Sequence, residues 1–301
     1  MVQTSILIPA KNEALNIGTC LNAVFSQATG GAFEVIVVDS GSTDGTTDIV
    51  AGYPVRLYRI PPEAFHHART RNYLASLAQG RYLVYLNADA FPASQDWLQF
   101  LLSNFSDPSV GAVYGRHLPK PGCNLERRAV LSRVYGDEKI IKEASRKREL
   151  GYRYYHLSTV NAAIRKDVWQ ATGFPQELKI YEDVGIAKRI LDAGWRIVYE
   201  PAAAVYHADN HSSKGLFKRY FDTGVIYQRL NIWDKSARSS MSREGWRLVC
   251  RKLTAGNSSG SARAISVVHD AAKYAGLMLG RNERLLPLAL KRRFSAVRLF
   301  D

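Results

Sequence analysis

Cysteine is scarce in this 301-residue chain: Cys20, Cys123 and Cys250 are odd in number, far apart and never spaced C-x-x-C. That pattern excludes a disulfide framework and a thiolate zinc site, and it fits a reducing compartment such as the cytoplasm. No apolar run approaches the ~18 residues needed to cross a bilayer. No charged leader precedes a long apolar stretch at the N-terminus, so no secretory signal peptide is expected. G-x-G-x-x-G is missing where a dehydrogenase would need it, which disfavours hydride transfer. Internal repeats and low-complexity tracts are absent too.

Acidic residues are scarce at one end. Residues 211–301 hold 18 Lys+Arg against 6 Asp+Glu, which places +12 of the formal +14 in the last third. Such a bias suggests a polyanionic partner: nucleic acid, anionic lipid or a phosphorylated substrate. The remaining composition, 46% hydrophobic and 23% charged, is that of a globular chain with a sizeable core.

What is present is an alternation of short strands and helices. Ser5–Pro9, Phe33–Asp39, Val55–Tyr58 and Tyr82–Leu86 read as strands, closed by Gly/Ser/Asp turns and separated by helical patterns over 15–25 and 71–77. This is the signature of right-handed crossovers on a parallel sheet, a Rossmann-like nucleotide-binding half over residues 1–115. Residues 116–153, rich in Arg, Lys, Gly and Pro, read as a long connection. Structure resumes over 158–169, a helix opens near Glu182-Asp183, and a strand from Trp195 ends at Pro201. Residues 116–210 complete the first domain, and 211–301 form a basic helical extension.

Three acidic sites fall just beyond strands or at a helix start: Asp39, Asp89 and the Glu182-Asp183 pair. Any one alone is more often a helix or loop cap. Ligands of open α/β sheets, however, bind outside the carboxyl ends of the strands. Asp39, before a turn of small residues, suits a hydrogen bond to a nucleoside. Asp89, delivered by the buried run Tyr82–Leu86, suits a hard divalent cation, because Mg²⁺ and Mn²⁺ take carboxylate oxygens.

Taken in order, Pro9-Ala10-Lys11-Asn12-Glu13, Val37-Val38-Asp39-Ser40-Gly41-Ser42-Thr43-Asp44-Gly45-Thr46, Leu86-Asn87-Ala88-Asp89 and Glu182-Asp183 resemble the motifs of family-two inverting glycosyltransferases. The resemblance covers roughly residues 4–230. Phe65-His66-His67-Ala68-Arg69-Thr70-Arg71-Asn72 is similar to the F-G-H-G-G-T-R-N segment of the rhamnosyltransferase-like branch. His66, Ala68 and Arg69 replace its glycines.

The resemblance implies a GT-A fold, an α/β architecture with a mixed central sheet. It implies a UDP- or dTDP-sugar donor, a glycan acceptor linked to a polyprenyl diphosphate, and Mg²⁺ or Mn²⁺ as cofactor. Pro9, Ala10, Asn12, Glu13, Asp39, Ser42, His67, Arg71, Asn87 and Ala88 would bind the nucleotide sugar. Asp89 and His207 would hold the metal, with Asn87 standing where a D-x-D motif has its first carboxylate. Asp183 would be the general base, and Glu182 would position the base or the acceptor. The expected setting is the inner face of the cytoplasmic membrane. There the basic third, with Phe217, Tyr220 and Phe221 on one helical face beside Lys218 and Arg219, would lie on anionic lipid; the alternative is that this face packs on the catalytic domain. Nucleic acid is not the expected partner. Two other classes compete. A nucleotidyltransferase would need a basic Gly-rich loop that Pro9–Glu13 does not supply. A non-catalytic binder of lipid or nucleic acid would leave Asp39, Asp89 and Asp183 unexplained.

Overall fold

The computed structural model describes residues 2–29, 31–123, 125–207, 213–233 and 260–300; Cys250 lies outside them. Chain contacts divide the protein into two units. The first comprises residues 1–149, 154–178 and 182–209; the second comprises 150–153, 179–181 and 210–301.

The first unit is built on one nine-stranded sheet. In chain order its elements are β1 (Thr4–Ala10), α1 (Ile17–Phe25), β2 (Phe33–Asp39), α2 (Thr46–Ala51), β3 (Arg56–Arg59), α3 (His67–Leu77), β4 (Tyr82–Leu86), β5 (Phe91–Pro92) and α4 (Trp97–Ser103). They continue as β6 (Val110–Leu118), α5 (Leu125–Val134), β7 (Ile140–Lys142), a single turn α6 (Lys147–Leu150), β8 (Asn161–Arg165), α7 (Lys166–Thr172), α8 (Glu182–Asp192) and β9 (Arg196–Tyr206). The strand order is β3-β2-β1-β4-β8-β6-β9-β5, with β7 on β9. β1 to β4 run parallel, as the alternation of strands and helices predicts. β8 is antiparallel to both β4 and β6, so the sheet is mixed. Ile6, Ile8, Val35, Val37, Val84 and Leu86 line its core with Leu21, Trp97 and Leu101 from the helices.

Three expectations need correction. The stretch 116–153 is not one long connection: β6 runs through Arg116 to Leu118, and α5, β7 and the α6 turn follow it. Glycines hid β6. A Cβ at Gly115 would lie 1.8 Å from the Ala203 carbonyl oxygen, so this glycine marks a close approach of two strands and not a turn. The strand begun near Trp195 also does not stop at Pro201. β9 continues to Tyr206, and the register against β6 shifts between Gly115 and His117, where β9 takes in three extra residues in the stretch that includes Pro201, which has no N–H to give. Leu15 lies outside α1 and is almost fully exposed, because the loop before that helix is fixed by polar contacts.

In the second unit, α9 (Ser213–Arg229) packs along α10 (Gly260–Arg281), with α11 (Leu288–Phe294) beyond. A Cβ at Gly280 would meet the Phe221 carbonyl oxygen at 2.0 Å, so the helices touch backbone to backbone there. Phe217 and Phe221 do share a face of α9, but that face is covered within the same unit. Phe294 lies 5.2 and 5.7 Å from their ring centres, and Phe300 lies 6.2 Å from Phe221. The buried Asp222 carboxylate accepts the Ala296 N–H at 2.8 Å and ties the following segment down. Among the described residues no helix is long and apolar enough to cross a membrane.

Candidate active site

The loops after β1 and β2 are locked to each other. Asp39, buried at the end of β2, accepts the N–H groups of Gly41 and Ser42 at 3.0 Å each, and its other oxygen accepts the Ser42 hydroxyl. Ser42 Oγ in turn accepts the Asn12 N–H at 2.8 Å, and Asn12 Oδ1 accepts the Thr43 N–H at 2.9 Å. Asn12 has φ +52°, a conformation that Asn tolerates better than most residues. Thr46 and Asp44 accept the N–H groups of Glu13 and Ala14 at 2.8 and 3.0 Å. Ala10 O receives both the N–H and the hydroxyl of Ser40 at 3.0 Å. Pro9 to Glu13 and Asp39 to Thr46 are thus one rigid floor. Three of the roughly four acceptor positions of the Asp39 carboxylate are used by its own turn.

β4 ends in a tight turn closed by Ala90 N–H to Asn87 O at 3.0 Å, with Ala88 buried inside it. α3 is capped by His66, whose Nδ1 accepts the Arg69 N–H at 3.5 Å, and Ala68 is fully buried in its first turn. Alanine at that place favours helix by about 1 kcal/mol over glycine. One turn apart on the same face, His67 and Arg71 lie 3.5 Å from each other. Arg71 forms a buried ion pair with Glu182 at 3.0 Å and reaches Asn87 Oδ1 at 3.5 Å. Burial, helped by Arg71 and His66, keeps His67 below the ordinary histidine range against the pull of Glu182. Arg71 therefore does not stand free as an anion hook. It fastens α8 to α3 and to the strand-end turn. Asn72, the next residue, holds 169–174 instead: its Oδ1 accepts from Trp169 Nε1 and Phe174 N–H, both at 3.0 Å.

Glu182 and Asp183 open α8, where the helix dipole favours negative charge. Asp183 accepts the Val184 N–H at 2.8 Å and is half-buried. Burial and the neighbouring Glu182 push its carboxyl up to about 7, against the opposing pull of Arg71. The third cluster joins Asp89 to His207, Oδ2 to Nε2, at 3.3 Å. Burial would raise the Asp89 carboxyl, but His207 and Lys120 outweigh it and hold it below the usual range.

Sequence reasoning missed the aromatic wall behind this pair. His117 stacks on Tyr135 with ring centres 4.2 Å apart and meets the His207 ring edge-on at 5.3 Å. His117 is held neutral by burial, and the Tyr135 hydroxyl, pushed up by burial, feels the charge of Asp183. No spacing in the sequence announces either residue: His117 lies on β6, which was hidden, and Tyr135 follows α5 in the stretch read as a connection. A groove of about 1030 Å³ lined by Arg69, Tyr73, Trp169, Gln170 and Arg189 contains none of Asp39, Asp89, Asp183 and His207.

Among the described residues no three His, Cys, Asp or Glu side chains cluster as a metal site. The Asp89–His207 pair nevertheless fits a divalent cation with mixed ligands. Two neighbouring ligands of an octahedral ion, each ~2.1 Å from it, lie ~3 Å apart, close to the 3.3 Å seen here. Two protein ligands leave about four positions for phosphate oxygens and water.

A mixed sheet with four parallel and four antiparallel pairings, a floor of locked loops after β1 and β2, an acidic strand end and an acidic pair at a helix start fit a GT-A nucleotide-sugar glycosyltransferase. The glycosyl transferase family 2 model matches residues 5–173, and the chain belongs to that family. It is 34% identical over 300 residues to the O-antigen chain rhamnosyltransferase WbaN of Salmonella anatum, covering 98% of this chain and 94% of that one. It is 30% identical, over the same shares, to the O-antigen chain rhamnosyltransferase RfbN of Salmonella typhimurium. Among solved structures, the mannosyltransferase PcManGT of Pyrobaculum calidifontis, in complex with GDP-Man and Mn²⁺, has a TM-score of 0.63. At 19% identity, covering 92% of this chain and 86% of that one, it shows the fold. The protein is a nucleotide-sugar-dependent glycosyltransferase.

Proposed function

We propose that this glycosyltransferase moves a sugar, rhamnose by its likeness to the O-antigen enzymes, from a UDP- or dTDP-sugar to a hydroxyl of a growing lipid-linked surface glycan, with inversion. The observation that carries this reading is the geometry that fastens the start of α8, where Asp183 follows Glu182, through the Glu182–Arg71 ion pair to the turn that presents Asp89. Burial and Glu182 raise the Asp183 carboxyl. Asp183 takes the proton of the acceptor hydroxyl. That oxygen bonds to the anomeric carbon, and the bond to the diphosphate breaks with its electron pair going to the leaving group. Asp89 and His207 hold the cation, Mg²⁺ or Mn²⁺, which when bound neutralises charge developing on the diphosphate. Asp39 and Ser42 shape the floor for the nucleoside, and the one acceptor position left on Asp39 suits an imide N–H, which uracil and thymine share.

Incubation with a panel of UDP- and dTDP-sugars, with and without excess EDTA, tests the reading. Donor turnover is expected only with divalent cation. Asp89→Ala should fall to the rate seen in EDTA, and Asn87→Ala should fall less, because an amide offers a neutral oxygen and no charge. Full activity in EDTA would leave Asp89 as a hydrogen-bonding residue.

The acceptor also calls for a membrane surface. With Phe217 and Phe221 covered, the candidate contact moves to the second unit's last helix and the turn before it: Leu285, Leu288 and Leu290 are exposed, as are Arg284, Arg292 and Arg293. Each cation near an anionic leaflet contributes about 1 kcal/mol, so the enzyme should sit peripherally at the inner face of the cytoplasmic membrane. Sedimentation with anionic liposomes should carry the protein down at low salt and release it as salt rises. The double change Leu285→Ser and Leu288→Ser should weaken binding. Protein that stays in the supernatant at low salt refutes the membrane assignment.

A further inference from the structure

The Asp89–His207 pair has a cation beside it to which the roles above give no task. β6 ends at Leu118, whose carbonyl accepts the His207 N–H at 2.9 Å. Two residues on, Lys120 Nζ lies 4.7 Å from the centre of the Phe91 ring. Phe91 is two residues beyond Asp89 and pairs with Tyr206 across β5 and β9. Both strands therefore fix Lys120 next to the pair. No ion pair to Lys120 occurs among the described residues, although its charge reaches Asp89 and also Cys20, which lies under the Asn87 carbonyl. An ammonium resting on a partly exposed ring gives up little when it leaves, far less than one in a buried ion pair.

We propose that Lys120 binds the diphosphate of the nucleotide-sugar donor. Asn87 stands where a second carboxylate would help to hold the cation, so charge neutralisation at the diphosphate rests on fewer ionic ligands. A lysine beside the metal pair restores part of it as a direct contact, the point-charge role that lysine has at many phosphate sites. The leaving diphosphate gains negative charge as the glycosidic bond breaks, so this contact strengthens along the reaction. The inference rests on the glycosyltransferase reading above.

Calorimetric titration with UDP and dTDP, once in EDTA and once in Mn²⁺, tests it on the full-length protein. Lys120→Met should bind the nucleoside diphosphate about tenfold to hundredfold more weakly in both conditions, the range for one lost hydrogen bond to a charged group. Affinity for uridine or thymidine, which lack the diphosphate, should stay within about twofold. Lys120→Arg should keep most of the diphosphate affinity, and melting temperatures should match. Diphosphate binding by Lys120→Met within twofold of wild type overturns the proposal, as does an equal loss for nucleoside. A wild-type protein that binds neither diphosphate overturns the donor reading itself and this inference with it.

Discussion

Asp183→Asn lowers the rate of sugar transfer by about 10²–10⁴-fold, the span that one well-placed general base supplies. Donor affinity should stay near wild type, because the proposed mechanism places the changed atom on the acceptor side of the reaction. In the wild-type enzyme the rate should fall as pH drops below about 7, where Asp183 takes up a proton. The same raised carboxyl has a cost in stability. A folded-state value above the unfolded one means that its contribution is fully present below about 3.8 and is lost as pH rises through about 7. Asparagine carries no such loss. The variant should therefore gain stability over wild type as pH rises from about 4 to 7, reaching on the order of 2–4 kcal/mol above that. Initial rates, calorimetric donor titration and melting curves at several pH values check the three parts. A folded Asp183→Asn protein that keeps most of its transfer rate removes this residue from the mechanism.

Breaking the Arg71–Glu182 pair has the second large effect. Both side chains are buried, so Arg71→Met leaves an uncompensated carboxylate and should cost about 3–5 kcal/mol, as should Glu182→Met for the opposite reason. Replacing both by Met should recover most of that stability, because two apolar side chains need no partner. Activity should not recover. Arg71 also reaches Asn87 in the turn before Asp89, and Glu182 adjoins Asp183, so the pair sets the spacing between the two carboxylates to which the proposed mechanism assigns the donor and acceptor sides. Denaturant unfolding of the two single variants and the double one gives the coupling directly. Single costs that simply add would show that the ion pair is not the link.

The sequence by itself determined the order of chemistry along the chain. Short apolar runs bounded by turn signals, such as Tyr82–Leu86, read as interior strands, and the residues that follow them then lie at the carboxyl edge of the sheet. Asp39 and Asp89 were legible for that reason, as were the turns of small residues that lock the first two loops. The Glu182-Asp183 pair, at a helix start, was legible through its resemblance to the family's motif. The tertiary structure decided their partners. Arg71 reads in sequence as a ligand of the nucleotide sugar, and only the tertiary structure ties it to Glu182. β6 was illegible because its glycines serve close strand approach, which looks like a turn when the facing strand is unseen. With β6 hidden, His117 and Lys120 had no address. Phe217 and Phe221 showed an apolar face correctly, but an amphipathic pattern states only that a face will be covered. What covers it, here Phe294 and Phe300, comes from more than seventy residues further along the chain, a separation that no local period records.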